Sequence, residues 1–169
     1  NWTDESRELF IRLLASGPAL LNVWEDIDFI DVPGKLIPEW LGVRNRPSAS
    51  AAHRYTIDRH MVEVVTRLGR ETPSGGRYDD RHYEALLLAG ILHDIGKRPG
   101  VANHAAEGAR HATVVVERMG FDRDIVRWVT LLVREHLTLS EFATGRNPND
   151  PNVGDDLAGR LDHNPVLLD

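Results

Sequence analysis

The sequence predicts an all-α domain. Apolar residues recur at helical spacing in several segments, Gly and Pro punctuate the joints between them, and few segments alternate with the period of two expected of strands.

The first helix is expected over about Asp4 to Ala15, with Leu9, Phe10, Leu13 and Leu14 apolar and Gly17-Pro18 as the stop. A second, shorter one covers Ala19 to Asp26. A punctuated stretch follows, from Asp31-Val32-Pro33-Gly34 through Pro38 to Arg46-Pro47, whose Trp40 and Leu41 are expected to dock on the core. The third helix should run from about Ala51 to Gly69, with Ile57, Met61, Val64, Val65 and Leu68 as its buried stripe. Residues 71–76, with Pro73 and Gly75-Gly76, break the chain. The fourth helix, about Asp80 to Ile95, is apolar nearly all round and should therefore be central. The fifth spans Asn103 to Met119 and ends at Gly120, a candidate left-handed cap. The sixth begins at Asp122, a good N-cap, and runs to about His136. Residues 145–152 are polar and turn-rich, and a last short helix is expected over Asp155 to Leu161.

Composition narrows the function classes. The 169 residues suit one domain, with 41% hydrophobic and 27% charged residues. Cysteine is absent, which excludes disulfides, thiolate metal sites and cysteine nucleophiles. A net charge of −6 argues against broad nucleic-acid binding. No apolar run approaches the roughly 20 residues that span a bilayer, and no signal peptide is visible at the start. The missing initiator Met leads to the expectation of a fragment of a longer protein.

Eight histidines invite sorting by helical face, because a metal site inside a bundle needs ligands converging from several helices. His60 shares a stripe with Ile57 and Val64, His93 with Leu86 and Ala89, and His136 with Val129, Leu132 and Val133. Asp94 follows His93 in an otherwise apolar helix, where an unpaired carboxylate is costly. His104 opens the fifth helix, Asp150 sits in the polar tail, and Lys97 lies just beyond the His93-Asp94 pair, where it could meet a phosphate. Imidazole with carboxylate suits Mn²⁺, Fe²⁺, Co²⁺ or Zn²⁺, and Mg²⁺ where carboxylate and water dominate. Structural zinc normally uses cysteine, so a site here is expected to be catalytic. A single histidine on an apolar face is more often a packed core residue. The convergence of four such groups is what raises the metal alternative. Elsewhere, His53 either lines the pocket or caps and packs, and His111 is expected to be a plain helix-face residue. His82 and His163 should be solvent-exposed, and Arg44, Arg46 and Arg54 are surface cations that could meet phosphate.

Residues 88–97, Leu-Ala-Gly-Ile-Leu-His-Asp-Ile-Gly-Lys, resemble the central motif of the HD phosphohydrolase superfamily, and the run Asp58 to Val65 around His60 resembles its first element. The match sharpens in Leu36-Ile-Pro-Glu-Trp40, Val43-Arg-Asn-Arg-Pro47, His53-Arg-Tyr-Thr-Ile-Asp-Arg-His60, Asn103-His-Ala-Ala-Glu-Gly108, Val133-Arg-Glu-His-Leu-Thr-Leu-Ser140 and Asp150-Pro151. Together these resemble the HD domain of the bifunctional enzymes that add and remove a uridylyl group on the PII nitrogen-regulatory protein.

The resemblance implies an HD helical bundle over 36–169, with 1–35 as a helical segment packed on it. It implies a first metal site of His60, His93, Asp94 and Asp150, and additional ligands His104 and His136 when two ions bind. Asp94 and Lys97 would then be catalytic, and His53, Arg54 and Lys97 would contact substrate. Asn147 stands where relatives usually carry Asp, so Asp155 and Asp156 remain alternatives to Asp150. Mn²⁺ or Mg²⁺ would serve hydrolysis of a nucleotide, UMP or AMP, from a tyrosine of nucleotidylated PII in the cytoplasm. The nucleotidyltransferase half of such enzymes has no counterpart in these residues. Hydrolysis of free nucleotides or alarmones, and non-catalytic binding of PII or of neighbouring domains of a parent enzyme, are the alternatives.

Overall fold

A computed structural model describes residues 2–48, 55–69, 80–138, 141 and 151–164. His53, Arg54 and Asp150 lie outside the described residues. Among the described residues there are eight α-helices and no named strand: α1 Asp4–Leu14, α2 Ala19–Phe29, α3 Val32–Leu36, α4 Ile57–Leu68, α5 Asp80–Leu92, α6 His104–Met119, α7 Arg123–Glu135 and α8 Pro151–Arg160. A 3₁₀ turn, Pro38–Gly42, follows α3.

The all-α expectation holds, and its differences from the expected elements have local causes. α2 continues to Phe29, and α3 forms within the stretch expected to be irregular. Pro33 sits in the first turn of α3, where its missing N–H costs nothing. Trp40 is fully buried and packs 5.2 Å, centroid to centroid, from Trp24, but Leu41 is 53% exposed. Docking of this stretch is therefore by Trp40, with Ile37 and Val43 buried beside it, and not by Leu41. α4 begins at Ile57, with Thr56 as its extended N-cap. α5 ends at Leu92, so His93 to Gly96 form a turn rather than a last helical turn. α8 starts four residues ahead of the expected Asp155.

α5 is the hub. Tyr83, Ala85 and the whole run from Leu87 to Leu92 are buried, and the helix packs against α4, α7, α1 and α6. α7 presents Ile125, Val129 and Val133, spaced by four, to this hub and to α6. α2 lies against α4. Capping fixes the helix starts. Thr3 and Ser6 form a reciprocal box on α1, Asn103 accepts from the Ala106 amide, and Asp122 accepts from the amides of Asp124 and Ile125. Gly120, at φ 83°, closes α6 in the left-handed region. Among the described residues, no helix is long and apolar enough to cross a membrane.

Candidate metal centre

His93 and His136 occupy equivalent places, each one residue past the end of a helix, α5 and α7 respectively. Carbonyls at a helix C-terminus lack intrahelical donors. Each imidazole uses one: His93 Nδ1 donates to the Gly90 carbonyl at 2.8 Å, and His136 Nδ1 to the Val133 carbonyl at 2.7 Å. A carbonyl only accepts, so Nδ1 carries the proton in both rings. In the neutral imidazole, Nε2 is then left as a lone-pair donor.

Both Nε2 atoms turn towards Asp94. Its side chain is only 4% exposed, and its two oxygens face different partners. Oδ1 lies 3.5 Å from His136 Nε2 and 3.7 Å from His104 Nε2. Oδ2 lies 3.7 Å from His93 Nε2 and 3.2 Å from the Lys97 ammonium. His60, from α4, brings its ring to 5.1 Å from that of His93. Two sets of ligand atoms result, His60–His93–Asp94 and Asp94–His104–His136, each lying within 4.8 Å of one another. Asp94 belongs to both.

The electrostatics favour a cation. Burial by itself raises the Asp94 carboxyl, but His136, His93 and Lys97 outweigh it and hold the group well below the usual carboxylate range. Burial pushes the His93 imidazole down to about 4, with Asp94 opposing only in part. His104 is lowered for the same first reason. Nε2 of His104 and of His136 are buried without a hydrogen-bond partner. Such an orphaned group costs about 1–3 kcal/mol. The lone pair of His136 Nε2 faces a carboxylate oxygen, a repulsion that a cation between them relieves, and a cation there is also within reach of His104 Nε2. The residues therefore fit a divalent metal, and the shared carboxylate fits two.

The structure brings together His60, His93 and His136, expected from their helical faces, with Asp94, His104 and Lys97, expected from their positions beside them, while His53, Arg54 and Asp150 fall outside the described residues. The packing that makes this possible is not legible in helical periodicity. A Cβ on Gly96 would lie 2.3 Å from the Gly108 amide nitrogen and 2.4 Å from the His104 carbonyl, so only glycine lets the turn after Asp94 touch the first turns of α6. The repeated small residues Gly96 and Gly108 were the available signal. Other histidines and arginines fall outside the cluster. His111 pairs with Glu107 at 3.1 Å, and Arg44 bonds Asp28 and Asp31 rather than standing free. His82 is half-buried and stacks on Trp128 with centroids 4.1 Å apart, which corrects its expected exposure. Exposed His163 and the Arg134–Glu135 ion pair are as expected.

Fold and site thus define an all-helical domain with a buried histidine–aspartate cluster competent to hold divalent cations. No protein-family model matches the chain, and no solved structure does. Curated relatives do. The chain is 40% identical over 151 residues to the bifunctional uridylyltransferase/uridylyl-removing enzyme of Streptomyces coelicolor, covering 89% of the chain and 17% of that protein. It is 34% identical over 168 residues to the enzyme of that name in Mycobacterium tuberculosis, covering 99% of the chain and 20% of the relative. With that of Caulobacter vibrioides it shares 34% over 171 aligned residues, 94% of the chain and 18% of the relative. The chain is homologous to one segment of these enzymes and spans about a fifth of their length.

Proposed function

We propose that this chain is the HD phosphohydrolase domain of such an enzyme and carries its removing activity. The reaction is hydrolysis of the phosphodiester joining a nucleotide, UMP or AMP, to a tyrosine of PII. The observation that carries this reading is the Asp94 carboxylate, one oxygen towards His93 and Lys97 and the other towards His104 and His136. Residues 36–169 are taken as the catalytic unit and 1–35 as a helical segment docked on it. The remaining domains of a parent enzyme are its covalent partners.

The metal is Mn²⁺ or Mg²⁺ in this reading, with Fe²⁺, Co²⁺ or Zn²⁺ as chemically permitted substitutes. When bound, such ions supply an activated water and neutralise phosphoryl oxygens. His60, His93, Asp94, His104 and His136 are the described residues that would hold them, and Asp150 is the further ligand proposed by motif. The carbonyls of Gly90 and Val133 keep two of the imidazoles in the coordinating tautomer. Lys97 holds a positive charge beside Asp94 and orients an anionic diester. The leaving group is tyrosinate, whose pKa near 10 lets it depart without a strong acid from the protein.

The deciding experiment measures nucleotide release from uridylylated and adenylylated PII with Mn²⁺ present, alongside anomalous scattering from a Mn²⁺-soaked crystal. Release that is lost in both His93→Ala and Asp94→Ala, with scattering peaks at the cluster, supports the proposal. Hydrolysis of free nucleotides with none of modified PII would select the broader HD activity instead. An absence of ions at the cluster would sink both.

A further inference from the structure

Beside the cluster runs a cavity of about 420 Å³ between α4, α5 and α7. Three of the imidazoles, those of His60, His93 and His136, line it. The rest of its described lining is hydrocarbon: Val64 and Leu68 from α4, Leu86 from α5, and Leu132 and Leu137 from and just beyond α7. All five are half-buried, so each keeps apolar surface open to the cavity. Ala89 and Gly90 also line it and add almost no bulk.

Its direction follows from helix geometry. His60, Val64 and Leu68 are successive residues of one stripe, and eight residues of helix rise about 12 Å. On α5, Leu86 lies seven residues before His93. On both helices the apolar residues therefore lead away from the imidazoles. The groove has the metal cluster at one end and a hydrocarbon channel behind it, with a volume typical of small-molecule sites.

Resting on the metal-centre reading above, we infer that this groove is the leaving-group subsite and selects an aryl phosphodiester, holding the aromatic ring attached directly to the scissile oxygen. Two considerations choose the aryl group over the nucleobase. An aryl ring is joined to phosphorus through a single oxygen, so it must lie immediately beside the metal ligands, where the apolar walls begin. A nucleobase stands a whole ribose further off. Moreover, a uracil or adenine in this groove would bury its polar edge against hydrocarbon, which is costly without partners. The ring of an esterified tyrosine has no other polar atom to satisfy.

The test uses binding, with aryl and alkyl phosphonates as probes, so that leaving-group reactivity does not enter. Phenylphosphonate and methylphosphonate are titrated calorimetrically into the Mn²⁺-loaded chain. The aryl probe should bind at least about tenfold more tightly, the gain expected for covering one ring with apolar surface. Leu132→Asn and, separately, Leu86→Gln should each remove most of that ratio and leave methylphosphonate affinity and Mn²⁺ uptake unchanged. Two residues on different helices guard against one variant failing to fold. Equal binding of the two probes, or a ratio that survives both substitutions, overturns the inference. So does a preference for UMP over ribose 5-phosphate that disappears in the same variants, because the base would then occupy the groove. Absence of Mn²⁺ uptake by the unsubstituted chain defeats the metal-centre reading itself, an outcome distinct from the others.

Discussion

Gly96 lies so close to Gly108 that a single added Cβ would fall 2.3 Å from the Gly108 amide nitrogen. That approach joins the turn carrying His93 and Asp94 to the start of α6, and it sets where His104 stands. Gly96→Ala must push backbone from backbone, because no flexible side chain is there to yield. We expect a loss of about 2–3 kcal/mol in urea unfolding and weaker uptake of the ion that uses His104. An unfolding midpoint equal to that of the parent chain would show that the contact carries no such constraint.

Asp94 is common to both ligand sets, whereas His60 and His104 each serve one. Asp94→Asn keeps the shape but removes the charge, and Mn²⁺ binding should fall to a trace at both positions. His60→Ala and His104→Ala should each lose one ion and retain the other, read as stoichiometry by equilibrium dialysis with elemental analysis. Equal stoichiometry in His104→Ala and the parent would reduce the centre to a single ion.

Glu39 accepts two bonds from the Arg118 guanidinium, at 2.9 and 2.6 Å, tying the 3₁₀ turn to α6. The Arg118 hydrogen bonds hold the Glu39 carboxyl below its ordinary value against the opposing effect of burial. A lowered folded pKa means that the unfolded chain binds the proton first on acidification. The pair's stabilisation is therefore complete above about pH 4.5 and fades as pH falls through the depressed pKa. Since Arg118 is partly exposed, the contribution is modest. Arg118→Met should cost about 0.5–1 kcal/mol at pH 7 and almost nothing near pH 2. A cost that stays constant between those pH values would show that packing of the arginine stem is what matters.

Asp58 is buried, and its Oδ2 accepts from the Asn45 amide at 2.8 Å, where Asn45 sits at φ 55°. This bond ties Asn45 to the first turn of α4, the helix carrying His60. Asp58→Ala removes the acceptor of the Asn45 N–H, and a loss of about 0.5–1.5 kcal/mol is expected. Amide exchange at Asn45 should quicken by more than the global change in stability accounts for. Exchange that tracks global unfolding alone would assign the bond no local role.

The helical class, most element positions and the histidines that converge were legible in the sequence, because they depend on periodicity. His60 with Val64, and His136 with Val129 and Val133, share faces whatever the helices pack against. The punctuation by Pro and Gly marked most of the joints, and Asn103, Asp122 and Gly120 announced their caps. Periodicity is silent on contacts between elements. That Asp94 turns one oxygen to His93 and the other to His104 and His136 depends on where α6 and α7 lie relative to the end of α5. That placement is set by the backbone approach of Gly96 to Gly108 and by the packing of α7 on α5 and α6. Likewise, α5 ending at Leu92 follows no breaker in the sequence; the turn at His93 to Gly96 is stabilised by tertiary contact. Sequence alone determined which side chains could serve a metal. Tertiary structure decided that they gather around one shared carboxylate, because such convergence is a property of distances between helices and not of spacing within any one of them.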